Sequence, residues 1–184
     1  MNLKYKFYII IISFLTVFAC SNDDDGGSSN KTAIDIVTGI NARQDNLSAG
    51  FRLGNPNVRM PLNISSVSVI AFPNPVRDFL SIQISQTNEV ITDIWLVDAN
   101  ANKIFQDTDF NAILNENTYT VNEISQASMQ SYNDLSNTNI NLNLEGFETG
   151  YYRVFIKTDQ SLYWDNIYVD NDGADITEFF DSWE

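Results

Sequence analysis

The stretch Ala71-Phe72-Pro73-Asn74-Pro75-Val76-Arg77-Asp78-Phe79-Leu80-Ser81-Ile82-Gln83-Ile84-Ser85 joins two alternating apolar runs through a Pro-Asn-Pro elbow. Pro73 and Pro75 each fix φ and lack an N–H, so a strand entering from Val67, Val69 and Ala71 must end here. Asn74 precedes a proline and is held extended. Arg77-Asp78 makes a short polar turn. From Phe79 the period is two, with Leu80, Ile82 and Ile84 on one face and Ser81, Gln83 and Ser85 on the other. That is the pattern of a strand with a core side and a wet side. The elbow reads as a stiff corner between strands.

Downstream the strand signals continue. Val90 to Val97 is an apolar run with Asp93 inside it, suited to a strand buried on both faces. Asp98-Ala99-Asn100-Ala101-Asn102 reads as a turn, and Lys103-Ile104-Phe105 as a short return strand. Ile140, Leu142 and Leu144 alternate with asparagines. Tyr151 to Thr158 and Leu162 to Val169 form a hairpin around Thr158-Asp159-Gln160-Ser161. The expected fold is all-β, an immunoglobulin-like antiparallel β-sandwich of about seven strands spanning residues 67–170. A polar insert, about 106–138, interrupts it. Thr118 to Val121 reads there as a strand, and Asn122 to Leu135 as one short helix capped by Asn122, with Ile124, Ala127 and Leu135 toward one side.

Upstream, residues 31–66 are weakly patterned, and Gly50, Gly54, Pro56 and Pro61 argue against long regular elements. This segment is expected to lie across the β domain as an edge strand or wrap. Arg43, Arg52 and Arg59 stand out in a base-poor chain; they pair with the acidic surface or hold a carboxylate or phosphate. At the other end, residues 171–184 form an acidic tail, or a short helix from Ile176 that rests Phe179, Phe180 and Trp183 on the sandwich.

Composition narrows the function. The chain has 184 residues, a formal charge of −14 and no histidine. Such an acidic surface repels phosphate backbones, so no nucleic-acid partner is expected. Without histidine the commonest general base and metal ligand are missing. The one cysteine, Cys20, excludes an intrachain disulfide. Asp170-Asn171-Asp172-Gly173 does not have the spacing of a calcium loop, and no phosphate loop or nucleophile elbow is present. No cofactor, metal or catalytic residue is therefore expected, and the chain reads as non-enzymatic.

The first residues supply an address. Lys4 and Lys6 precede an apolar run, Phe7 to Phe18, that is short for a membrane span and shaped like a signal peptide. Leu15-Thr16-Val17-Phe18-Ala19-Cys20 resembles the bacterial lipoprotein box, which implies cleavage after residue 19 and acylation of Cys20. Ser21, Asp23, Asp24 and Asp25 follow, and they resemble the acidic surface-export signal of Bacteroidota lipoproteins. Residues 20–30, ending Gly26-Gly27-Ser28-Ser29-Asn30, make a flexible tether. The resemblance implies an outer-membrane, cell-surface location with the membrane as partner through a lipid anchor.

Phe72-Pro73-Asn74-Pro75-Val76, then Leu80 and Ile82, then Ile94-Trp95-Leu96-Val97-Asp98, then Gly150-Tyr151-Tyr152-Arg153-Val154 resembles the type IX secretion C-terminal sorting domain. In that family Pro73, Asn74, Pro75, Gly150 and Tyr152 would be motif positions. The resemblance implies a seven-stranded sandwich and an export-tag ancestry. The lipid anchor already gives a route to the membrane, so the expected role is a binding or accessory module for a protein or glycan. The alternative is a modified sorting domain.

One surface suggests itself for binding. If the last turn centres on Asp159-Gln160, Tyr151, Arg153, Phe155 and Lys157 share a face with Leu162, Trp164 and Tyr168. Tyr152, Val154 and Ile156 share the other with Tyr163 and Ile167. One face must be core. The other is an aromatic platform with two cations, unless the insert or the N-terminal segment covers it.

Overall fold

A computed structural model describes residues 32–47, 49–63, 68–85, 88–110, 118–173 and 176–183. The signal peptide, the lipidation site Cys20, the export signal at Ser21 and Asp23 to Asp25, and the tether lie outside these residues. The strands are β1 Ile36–Val37, β2 Gly39–Ala42, β3 Phe51–Gly54, β4 Ser68–Phe72, β5 Phe79–Ser85, β6 Ile91–Ala101, β7 Gln130–Tyr132, β8 Asn139–Asn143, β9 Gly150–Thr158 and β10 Leu162–Val169. Among the described residues there are also two short α-helices, α1 Val121–Ala127 and α2 Ile176–Asp181.

The protein is an all-β sandwich. One sheet is β4-β5-β8; the other runs β1-β6-β9-β10, with β7 also on β6. Six strands follow the immunoglobulin order, β4, β5 and β8 standing as A, B and E and facing β6, β9 and β10 as C, F and G. Val76 bridges in parallel to Val169, linking the end of the elbow to the last strand of the other sheet. Alternation in β5 buries Leu80 and Ile82 against Ile94, Leu96, Val154, Ile156 and Ile167, and these form the core between the sheets.

The elbow behaves as its prolines dictate. β4 stops at Phe72, Phe72-Pro73 and Asn74-Pro75 are both cis, and β5 starts at Phe79. Two expectations need correcting. The residues read as a turn, Asp98 to Ala101, continue β6, because β9 pairs on one side through Ala99 and β1 on the other through Asn100 and Ala101. Backbone partners on both sides override local turn propensity. Lys103–Phe105 is a 3-10 turn capped by Asn102, whose side chain accepts from the Ile104 N–H, and not a strand.

Among the described residues of the insert there is one short helix, and it begins earlier than Asn122. Thr120 is the cap: its hydroxyl accepts from Glu123 N–H while the Glu123 carboxylate accepts from Thr120 N–H. That removes the strand read at Thr118 to Val121. The helix ends at Ala127, so Leu135 belongs instead to the margin of the sandwich core.

The N-terminal segment is more ordered than its composition suggests. β2 and β3 pair as an antiparallel hairpin, and β1 adds to β6 in parallel. The backbone of Arg59 and Met60 donates to Trp164 O and covers the edge of β10. This strap lies over the outer face of β9 and β10, beside α1.

Candidate functional site

The register of the last hairpin is the one the turn predicts. Leu162 faces Lys157, Trp164 faces Phe155 and Tyr168 faces Tyr151. Thr158 pins it, its Oγ1 accepting from Ser161 N–H at 2.8 Å and Gln160 N–H at 3.2 Å. The expected aromatic platform is nevertheless closed. Arg153 and Phe155 are 0% exposed and Trp164 is 1% exposed. Val58, Ile34, Tyr119 and Ile124 pack over Trp95, Phe155, Leu162 and Trp164. Tyr151 and Tyr168 lie beneath Phe179 and Trp183, and Lys157 is turned to Asp93 at 2.9 Å. The physical reason is area: a wide apolar face cannot stay wet, and the chain's own strap is there to cover it.

What looked like a ligand face is therefore an internal joint. Arg153 Nε donates to Asn166 Oδ1 at 2.9 Å, Nη1 to the Tyr119 hydroxyl at 2.8 Å, and Nη2 to Ile36 O. Asn166 Nδ2 donates to Gly39 O and Asn57 Oδ1, both at 2.8 Å. Trp164 Nε1 donates to Asn57 O at 2.9 Å. Burial pulls the Arg153 pKa down; the Tyr119 contact opposes it. This polar network stitches the strap to the sandwich, and partnered groups of this kind fix one docked arrangement.

The elbow and the start of β9 have distinct structural roles. Tyr152, at the start of β9, donates its hydroxyl to Glu148 O at 2.9 Å. That is a tyrosine corner, the device that pins the loop entering this strand in immunoglobulin-like sandwiches. Gly150 opens β9 opposite Val169, and a Cβ there would meet nothing. Asn74 is a clasp. Its Nδ2 donates to Asn41 O at 2.9 Å and Asn166 O at 2.8 Å, and its Oδ1 accepts from Tyr168 N–H at 3.0 Å. Its backbone exchanges bonds with Arg43.

Beside that clasp is a concavity that neither motif nor composition foretold. A cleft of about 520 Å³ opens between the strap, the elbow and the C-terminus. Pro73, Pro75 and Ala42 give it apolar walls, with Phe51 and Phe180 as an edge-on aromatic pair 5.7 Å apart. Its size falls in the range of small-molecule sites, roughly 300–1,000 Å³.

Arg43 and Arg77 also line it. Arg77 is at the rim, its side chain 67% exposed, and contacts Asp170 at 3.2 Å. Arg43 is 6% exposed; its Nη2 donates to Pro61 O at 3.0 Å and Asp165 Oδ2 at 3.3 Å. Its Nε and Nη1 are buried and have no partner. Burial pushes the Asp165 carboxyl up to about 7, against the pull of Arg43, a bond from Asn166 N–H and the more distant Arg153.

Of the arginines read as candidate anion ligands, Arg43 lines this cleft. Arg59 donates to Leu162 O at 2.7 Å and stands over the Tyr163 and Trp164 rings, fastening the strap. Among the described residues no group of three or more Asp, Glu, Cys or His is placed to hold a metal ion. Neither a family model, nor a curated protein, nor a solved structure matches the chain.

Proposed function

We propose that the chain is a lipid-anchored, surface-exposed outer-membrane protein whose sandwich serves as a non-enzymatic binding or accessory module. The anchor rests on the lipoprotein-box resemblance at Cys20 and the acids behind it. The binding site is the elbow cleft, and one observation carries that reading: it is a half-open apolar concavity with convergent cations in an otherwise acidic protein. The expected partner is a protein or glycan at the cell surface.

The experiment is a glycan array and a pull-down with residues 31–184, run beside an Ala49→Trp variant. Ala49 is exposed at the cleft wall, so the indole fills the cleft with little demand on the core. Ligands held by the natural protein and lost by Ala49→Trp support the reading. Ligands held equally by both sink it.

The alternative is a modified sorting domain. A tag of that kind is cut from its cargo, here near residue 70. The strap argues against it, because residues 36–60 supply hydrogen-bond partners to Arg153, Trp164 and Asn166. Cutting near the elbow would separate those partners from the sandwich. A proteolytic fragment starting near residue 70 in the mature protein would favour the tag.

A further inference from the structure

We infer that the elbow cleft accepts the carboxylate-bearing, apolar end of its partner, the carboxylate directed to Arg43 and Arg77 and the apolar part held by Phe51 and Phe180. This rests on the cleft being the binding site, and it names the chemical class of the ligand.

Arg43 is the first ground. A guanidinium carries only donors, and each buried donor without an acceptor is destabilising. Nε and Nη1 of Arg43 are in that state. The acceptors near it are spoken for: Pro61 O and Asp165 Oδ2 both take Nη2. An anion in the cleft would reach these donors only if the Arg43 side chain, 3% exposed, shifts toward it, and it would then supply the acceptor that the fold does not.

Charge distribution is the second. The chain is −14 overall, so an anion gains nothing from the general surface. Within the cleft the acid that faces it is Asp170, 4% exposed, and Arg77 holds it through Nε at 3.3 Å and Nη2 at 3.2 Å. Arg77, at the rim, can turn toward an incoming carboxylate while Asp170 keeps its backbone N–H bond to Val76 O.

The lining is the third. Pro73, Pro75, Ala42 and the two phenylalanines offer contact area and few hydrogen-bonding groups. A neutral sugar would leave most of its hydroxyls unpaired against such walls. An aromatic or aliphatic body matches them, and Phe51, 51% exposed, has surface still to bury.

The test uses the mature chain with Cys20→Ser, which removes only the acyl site, and isothermal titration with three probes. These are 4-phenylbutyrate, the neutral 4-phenylbutanol and acetate. The expected result is saturable binding of 4-phenylbutyrate about tenfold tighter than either control, the size of one charge-assisted contact. Arg77→Ala should weaken it several-fold, and Ala49→Trp should abolish it. Arg43→Lys should weaken it more than Arg77→Ala does, and because Arg77 and Ala49 are exposed, their variants keep the test decisive if that buried change disturbs folding. Equal binding of the alcohol and the acid overturns the inference. So does binding that survives Ala49→Trp. A neutral oligosaccharide that binds in the acid's place and is lost in Ala49→Trp overturns the carboxylate assignment yet leaves the module reading intact.

Discussion

Tyr152 and Asp165 are inward-facing residues of adjacent strands, and each makes a prediction at the scale of one side chain. The Tyr152 hydroxyl has one backbone acceptor, Glu148 O, while its ring packs on Phe147 at 5.6 Å. Tyr152→Phe keeps the ring and loses the bond, so urea denaturation should show a loss of about 1 kcal/mol. Asp165 is fully buried, and its carboxyl titrates near 7 in the fold against 3.8 in the open chain. Between those values the folded protein keeps a proton that the unfolded chain has released. The contribution of this group is fully present below the lower value and is lost as pH rises through the upper one. Asp165→Asn is neutral throughout. Wild-type stability should therefore fall relative to Asp165→Asn from pH 4 to 7, with a slope approaching ~1.4 kcal/mol per unit. Parallel stability curves for the two proteins would contradict this. Asp165 carried no sign of its burial in the sequence, because an acid on an edge strand ordinarily faces water. Its enclosure depends on Arg43 arriving from a segment more than a hundred residues away.

At the scale of elements, legibility tracked how local each determinant was. The elbow and the last hairpin were readable because prolines and a Thr-x-x-Ser turn set them from within. The helix cap was also readable: Thr120-x-x-Glu123 is a capping-box signature, and Asn122 was the wrong choice beside it. β6 was cut short because its last residues have turn composition and acquire strand geometry only from β1 and β9. The β2–β3 hairpin was hidden for a related reason. Its buried polar residues, Asn41 and Arg43, look like surface residues until their partners are known. Gly54 tests how α2 is seated. It has φ of +67°, and a Cβ there would lie 2.6 Å from the Trp183 ring. Gly54→Ala should destabilise by about 1–3 kcal/mol and displace α2. Loss of the Trp183 Nε1 to Tyr151 hydroxyl bond, 2.9 Å in the native protein, would appear as an indole N–H shift in NMR. An unmoved indole signal would show that α2 is seated by other contacts.

For the whole molecule, the strap and sandwich form one hydrophobic unit. A chain begun at Ser68 would lose the Ile34 and Val58 cover over Trp95, Phe155, Leu162 and Trp164 and leave Arg153 without its Ile36 acceptor. That chain should lose near-UV circular dichroism and bind the dye ANS, as loosely packed states do. A native-like spectrum from it would mean that the strap is dispensable. The cleft was not legible at all, since it gathers residues 42–51, 73–77, 170 and 180, and no local pattern joins them. Only the fold brings an elbow read as a mere corner against arginines read as surface charge.

The measurement that bears most directly on a tethered, undivided binding module is the intact mass of the protein taken from its native outer membrane. The account predicts a single species that starts at an acylated Cys20 and is continuous through the elbow. An unmodified thiol at Cys20, or a species beginning near residue 70, would contradict it.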